Sequence, residues 1–513
     1  MSDRQHVGPG RLVVVSNRLP VVLTSEHGRW KIEPGSGGLV TALAPVLRDR
    51  GGLWIGWPGT AGGADVEKAL REHTPDIGYS LVPVTLSREE VKKHYRGFSN
   101  EVIWPLFHDL QSRCNFDPDY WKTYQEVNRK FARTIVENTG PDDFVWIHDY
   151  HLMLVAAYLR EEGFEGRLGF FLHIPFPPLD LFVKLPWRSE VLRALLSFDL
   201  IGVQTLRDRR NFMECLRRLI GDVWVKGRGP VCDVRVPERR LRVGAFPISI
   251  DFAEFERETQ SREVAESAWL IHENLPERQI VLGIDRLDYT KGIPSRLEAF
   301  RCLLERYTEH LNNISLVQVV VPSRRGIPEY EELKTEIEQL VGKINGQFTH
   351  QSGWIPIHYI HRSLSRYELL GYYRAAEIAL LTPIKDGMNL VAKEYCASKV
   401  EEDGVLVLSE FAGAAPELQD AALLVNPYDV EGMADTLHRA LTMDDEDREA
   451  RMRKLRQTVR RHDIFWWVDS FLRASVGRDL EVFPRIRDYT PVFPEALRAE
   501  TDLRARTEKE DEQ

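Results

Sequence analysis

A chain of 513 residues is too long for one hydrophobic core, so two or more domains are expected. Hydrophobic residues make up 43% and aromatics 10%, and 68 Lys and Arg stand against 78 Asp and Glu for a net charge of −10. That balance excludes nucleic acid or a membrane surface as the main partner, although a local basic pocket stays open. No apolar run reaches transmembrane length and no signal-peptide core precedes the first strand, so a cytoplasmic protein is expected. The five cysteines, Cys114, Cys215, Cys232, Cys302 and Cys396, show no metal-ligand spacing and fit a reducing compartment.

Residues 1–10 read as a flexible leader. Residues 11–16 are a β-branched run of the buried parallel type, ending in Asn17, Arg18 and Pro20. A glycine loop with Gly37 and Gly38 opens a helix over 39–48; a plain flexible turn is the simpler reading, and a phosphate or sugar contact the functional one. Residues 51–59 form another strand. The stretch 86–115 mixes His94, Tyr95, Phe98, Asn100, Trp104 and His108. Aromatic faces stack on sugar rings while polar tips take hydroxyls, and a buried aromatic cluster is the plainer reading of the same composition. Strands at 143–147, 167–172, 199–203 and 242–246 alternate with helices at 152–162, 189–197 and 207–219. The first two end in His148-Asp149-Tyr150-His151 and in His173-Ile-Pro-Phe-Pro177.

Beyond a linker near 247–260 the same grammar resumes. Strands at 279–284, 315–321, 378–382, 404–408 and 422–425 end in polar loops. This alternation means an α/β chain with two doubly wound parallel sheets, whose ligands bind past the carboxyl ends of the strands. A charged helical stretch at 440–463 precedes the aromatic Phe465-Trp466-Trp467, which is placed to dock back across the domain boundary. The end of the chain is charged and reads as disordered.

The chemistry concentrates at the strand ends. Residues 383–398 form a tight loop and a helix, with Gly387 at the corner and Asp386 and Glu394 as carboxylates. The helix N-terminus suits a phosphate, a glycine lets a ligand approach the backbone, and carboxylates suit sugar hydroxyls; an ordinary βα corner with a solvated Asp and a surface Glu is the plain alternative. Arg286 and Lys291, five residues apart, suit a diphosphate; the plain alternative is a surface pairing with Asp285 and Asp288. Arg324 and Arg325, with Arg18 from the first half, are surplus cations that suggest a second phosphorylated ligand. His173, pinned by Pro175 and Pro177, is the histidine with the best claim to a site. No HExxH, P-loop, GxSxG or phosphatase motif is present.

Seven motifs in order, Val15–Pro20, Phe98–Pro105, Trp146–His151, Phe170–Pro177, Asp285–Gly292, Asp386–Glu394 and Ser409–Ala415, resemble the trehalose-6-phosphate synthase family of retaining glycosyltransferases over about 11–475. The resemblance implies a GT-B fold of two Rossmann-like domains with the site between them. It implies domains at 11–248 and 249–464, and the segment 465–480 crosses back before a tail at 481–513. It implies transfer of glucose from UDP-glucose to glucose 6-phosphate with retention, without cofactor or metal. Arg286 and Lys291 would then hold the donor diphosphate, helped by the backbone of Gly387, Met388, Asn389, Leu390 and Val391. Glu394 would take the ribose, Asp386 the glucosyl hydroxyls, and Gly38 would lie near the donor. Arg18, Tyr95, Trp104, Asp149 and Arg324 would form the acceptor site, with His173 beside the transferred glucose. With no nucleophilic carboxylate supplied, a front-face attack is expected, the leaving phosphate taking the proton. A glycerol 3-phosphate acceptor, or a catalytically silent sugar-phosphate sensor, would be the alternatives. The donor base, a homo-oligomer and any regulator stay open.

Overall fold

The computed structural model describes all residues except 1–9, 27–28, 36–37, 61–65, 67, 71, 73–76, 228, 238, 276–277, 325–326, 350–352, 477–485 and 490–513. Gly37, Arg325, Gly326, the leader up to residue 9 and most of the tail therefore lie outside the described residues.

The β-branched runs become two sheets. The first has nine strands in the spatial order Ser80–Pro83, Leu53–Trp57, Leu12–Arg18, Phe144–His148, Arg167–Phe171, Leu200–Val203, Arg239–Ala245, Val231–Val236 and Trp224–Lys226. It is parallel up to Arg239–Ala245, and the last two strands are antiparallel. The expected purely parallel sheet is corrected at this edge. Val231–Val236 alternates buried Val234 and Val236 with exposed Asp233 and Arg235, the pattern of a strand with one wet face. The second sheet has six parallel strands, in the order Ile357–Ile360, Ile314–Val321, Gln279–Arg286, Ile378–Leu381, Val405–Ser409 and Leu423–Val425. A separate hairpin joins Val21–Glu26 to Arg29–Pro34.

Each parallel sheet reverses its winding once. In the first, Leu12–Arg18 lies between Leu53–Trp57 and Phe144–His148. In the second, Gln279–Arg286 lies between Ile314–Val321 and Ile378–Leu381. At such a switch point the loops leave in opposite directions and open a crevice at the carboxyl ends. Arg18, Asp149, Arg286 and Asp386 all follow the strands that flank these two crevices.

The chain passes between the two sheets at two places. The first passage follows Ala245, and the second precedes helix Ile464–Val476. They are hydrogen bonded, Ile464 N–H donating to Ile250 O at 2.9 Å. Buried Lys393 fastens the first passage, with Nζ 2.8 Å from Ile248 O and 2.6 Å from Glu417. Helix Ile464–Val476 then packs on the first sheet. Trp467 and Phe471 lie 4.8 and 4.2 Å from the Trp146 ring, and Trp467 Nε1–H donates to Phe246 O at 3.0 Å. Losing an indole buried this deeply costs about 3–5 kcal/mol. Residues 486–489 touch both halves, since Asp488 pairs with Arg210 and its carbonyl accepts from Gln419.

Candidate active site

Strand Ile378–Leu381 delivers the chain to Pro383, and helix Leu390–Ser398 begins seven residues later. Asn389 caps that helix in the left-handed region, φ 63°, with its side-chain oxygen accepting from Ala392 N–H at 3.2 Å. The N–H groups of Leu390 and Val391 have no intrahelical acceptor and are available to an anion. Asp386 is fixed from three sides. Lys291 Nζ lies 2.5 Å from Oδ2, Asn389 Nδ2 donates to the same oxygen at 3.3 Å, and Met388 N–H donates to Oδ1 at 3.2 Å. Burial resists its ionisation, but Lys291 outweighs that and holds it below the usual carboxylate range. One turn into the helix, Glu394 accepts from Tyr373 OH at 2.8 Å, and burial pushes its carboxyl up.

The loop from Arg286 to Gly292 lies against this corner. Gly292 is left-handed, φ 63°, and a Cβ there would sit 2.2 Å from Thr382 O, so only glycine fits. Beneath both loops lies Arg296, wholly buried. It reaches Asp285 at 2.6 Å, Thr382 Oγ1 at 3.1 Å and Lys291 O at 3.4 Å. The plain pairing of Arg286 and Lys291 with Asp285 and Asp288 does not occur: Asp285 takes Arg296, and Asp288 takes Arg324 at 3.3 Å. Arg286 ends its strand exposed, and no carboxylate among the described residues pairs with it. Arg324 also touches Tyr330 OH, and its guanidinium lies 3.9 Å from the Trp104 ring of the other domain.

The first domain supplies an aromatic wall. The stretch expected to be an aromatic cluster or a sugar-stacking surface is a π-helix, Val91–Ile103, running into Trp104–Phe107. It does both jobs. Phe98 and Trp104 are buried, while Tyr95 is half-buried, with its ring 5.7 Å from His151 and 6.5 Å from Trp57. The Arg18 guanidinium stacks over Trp57 at 4.6 Å. Arg18 and Arg324 therefore each stand on an aromatic ring, Trp57 and Trp104. Asp149 turns the chain at φ 76°, ψ 166°, a region that costs a non-glycine residue about 1–3 kcal/mol. Its Oδ1 accepts from His173 N–H at 3.3 Å. Burial raises its carboxyl to about 7, against the opposing pull of Arg286 and Arg324.

His173 pairs with His148, Nε2 to Nδ1 at 3.1 Å, and burial lowers it to about 3. It is a neutral imidazole at any working pH. Its Nδ1 is buried without a partner, as are Trp104 Nε1, Asn17 Oδ1 and both ring nitrogens of His151. Folded proteins leave few such groups, and these belong to the loops and the helix that carry Arg18, Tyr95, Asp149 and His173.

The two halves meet at Gly387. A Cβ on this glycine would lie 2.1 Å from His173 O and 2.7 Å from Ile174 Cα. The glycine was expected to admit a ligand; it admits the backbone of the other domain. Gly413 packs behind it, its own Cβ position being 1.9 Å from Gly387 O. Lys385 reaches across to Asp109 at 2.5 Å.

A family model for glycosyltransferase family 20 matches residues 10–475. The chain belongs to glycosyltransferase family 20. The trehalose-6-phosphate synthase of Mycolicibacterium gilvum (strain PYR-GCK) is 44% identical to this family 20 chain over 475 residues, 91% of it and 94% of the relative. The Mycobacterium leprae (strain TN) enzyme of the same name is 43% identical over 482 residues, covering 92% and 96%. The alpha,alpha-trehalose-phosphate synthase (UDP-forming) from Burkholderia xenovorans, solved in complex with glucose-6-phosphate, has a TM-score of 0.82 at 36% identity, over 91% of this chain and 100% of that one. The E. coli structure bound with UDP-2-fluoro glucose gives 0.81 at 36% identity, over 91% and 99%. The fold is accordingly GT-B.

The site residues read from the sequence fall into connected groups. Lys291, Asp386, Met388, Asn389, Leu390 and Val391 share the second-domain corner, with Glu394 one turn on. Tyr95, Trp104, Asp149 and Arg324 share the aromatic wall, with Arg18 at its end. One expectation changes: Lys291 and Asp386, assigned to different parts of a donor, are bonded to each other. Gly38 opens helix Gly38–Arg50. Trp57, Arg296, Tyr330 and Lys385 were missed, and Asp288 was read only as a surface partner. Asp288 and Arg296 lie within or just after a motif already read, and that proximity was the available signal. No helix among the described residues is long and apolar enough to cross a membrane.

Proposed function

We propose that this family 20 enzyme transfers glucose from UDP-glucose to glucose 6-phosphate, giving α,α-trehalose 6-phosphate and UDP. The observation that carries the reading is the Arg324–Trp104 contact at 3.9 Å. It joins the cationic loops of the second domain to the aromatic wall of the first, so one cleft offers a diphosphate corner and a sugar-phosphate corner side by side. The named activity of the relatives and the two bound structures support the same pairing of substrates.

Breaking the glucosyl–oxygen bond leaves positive charge on the sugar and negative charge on UDP. Arg286, Lys291 and the first turn of helix Leu390–Ser398 are placed to take the negative charge. Lys291 has three N–H donors, so it can keep Asp386 and still donate to phosphate. Asp386, held ionised and aimed by three donors, accepts glucosyl hydroxyls, and Glu394 accepts from the ribose. Arg18 and Arg324 hold the acceptor phosphate, and Tyr95, Trp104 and Asp149 hold its sugar. Neutral His173 offers its unpaired nitrogen beside the transferred glucose.

A double displacement needs a free carboxylate against the anomeric carbon. Asp386 is engaged by Lys291, Asn389 and Met388, and Glu394 by Tyr373. This supports attack by the acceptor hydroxyl on the face the diphosphate leaves, with its proton passing to the departing phosphate oxygen. The test pairs UDP-, GDP- and ADP-glucose with glucose 6-phosphate or glycerol 3-phosphate and identifies the product. Trehalose 6-phosphate from UDP-glucose is expected. Product only from glycerol 3-phosphate, or none from any pair, refutes the reading; a glycosyl adduct on a carboxylate refutes the mechanism.

A further inference from the structure

Outside the cleft, two histidines 128 residues apart in sequence meet head-on. His310 ends the short turn Thr308–His310 that follows helix Ile293–Arg306, and His438 lies in helix Val430–Leu441. His310 Nε2 and His438 Nδ1 are 2.9 Å apart. Glu309 Oε1 is 3.8 Å from the same His438 nitrogen. These three ligand atoms lie within 4.8 Å of one another, the one such grouping among the described residues.

The surroundings fix the rings. Tyr307 lies flat on the His438 imidazole, 3.9 Å away and within 4° of parallel, and its hydroxyl donates to Asp435 at 2.8 Å. A hydrogen bond between two ring nitrogens needs one of them to accept, so at least one imidazole of the pair is neutral, the form that binds metal. Two facing ring nitrogens can share one proton, one donating and the other accepting. They are also nearly spaced as ligands of one ion. Tetrahedral Zn–N bonds of about 2.0–2.1 Å put two nitrogens about 3.3 Å apart, so the rings need separate by only a few tenths of an ångström.

We propose that Glu309, His310 and His438 bind one divalent transition-metal ion, of the zinc class, with water in the fourth position. Two imidazoles and a carboxylate favour Zn2+ over Mg2+ or Ca2+, which prefer all-oxygen shells. The ion joins the far end of the helix that starts at Gly292, beside Lys291, to helix Val430–Leu441. It is a structural clamp outside the transfer chemistry.

The test uses the full chain, free of tag and metal. Zn2+ is titrated calorimetrically, and Co2+ serves as the spectroscopic probe. One equivalent of Zn2+, a raised Tm and the visible bands of tetrahedral Co2+ are expected. His438→Asn should weaken Zn2+ binding by about 100-fold and abolish the bands. Where His438→Asn does not fold, Glu309→Gln, at an exposed position, decides by loss of about tenfold in affinity. No stoichiometric Zn2+ in the wild type, or an unchanged isotherm and Co2+ spectrum in the deciding variant, overturns the proposal.

Discussion

Asp149 sits where a carboxylate is costly, and Asp149→Asn measures that cost. Its rise from 3.8 to about 7 corresponds to about 4 kcal/mol, at about 1.4 kcal/mol per pH unit. The sign follows from proton counts. Above its ordinary value the unfolded chain has released this proton, while the folded chain keeps it until about 7, so stability falls as pH rises through that window. Between pH 5.5 and 8.5 the wild type should lose about 2 kcal/mol relative to the Asp149→Asn variant, whose amide side chain does not titrate. His148, His151 and His173, all pushed far down by burial, stay neutral in the folded protein, and their titration in the unfolded chain is common to wild type and variant and cancels. The strain at φ 76° is common to both pH values and cancels. Thermal unfolding at both pH values is the assay, and the gap in Tm should widen in favour of the variant by about 4–8 °C for a domain of 150–250 residues. Activity should fall at the same time, because a neutral amide is a poorer acceptor for a sugar hydroxyl. A Tm gap that is equal or narrower at pH 8.5 would refute the account of Asp149.

Gly387→Ala places a methyl 2.1 Å from His173 O. Neither backbone can yield locally, so the domains must part and kcat/KM should drop by about 100-fold; wild-type kinetics would show that this contact does not set domain spacing. Asp386→Asn should raise KM for UDP-glucose more than the inhibition constant of UDP, since the sugar contact is lost and the diphosphate contacts remain. Equal changes in both would place Asp386 elsewhere. The same variant should also lower stability, because removing one partner of a buried pair costs about 3–5 kcal/mol, and urea unfolding reads this out. Arg324→Lys keeps the charge but loses the planar face over Trp104, which is worth about 2 kcal/mol when desolvated. KM for glucose 6-phosphate should rise by about tenfold or more while KM for UDP-glucose changes little, and the reverse pattern would assign Arg324 to the donor.

The strand ends were legible because each parallel strand is a short apolar run that stops at a polar residue. The run Val13–Val15 stops at Ser16 and Asn17, and Ile378–Leu381 stops at Thr382 and Pro383. The helix at Leu390 was legible from its composition after Gly387. What periodicity could not show was partnership across the chain. Arg296 looks like any surface arginine of an amphipathic helix, yet it is wholly buried under two loops. Trp57 looks like a strand residue, and only the fold sets Arg18 on its face. The antiparallel edge at Trp224–Lys226 was missed because three residues with an exposed tryptophan carry no strand signal of their own. Gly387 was read as a close approach, and the fold shows that the backbone of His173 and Ile174 faces its Cα, a surface that sequence alone does not reveal.

The two passages of the chain between the sheets have a mechanical consequence. A single connection would act as a swivel and let the domains bend and twist in any direction. Here the passages run side by side, tied by Ile464 N–H to Ile250 O and anchored through Lys393 to the helix that opens onto the cleft. Two adjacent pivots define a line, and rotation about that line is the motion they leave free. Any opening of the cleft must then run about that line, and it must also release or carry Asp488, which pairs with Arg210 on one side and takes Gln419 through its carbonyl on the other.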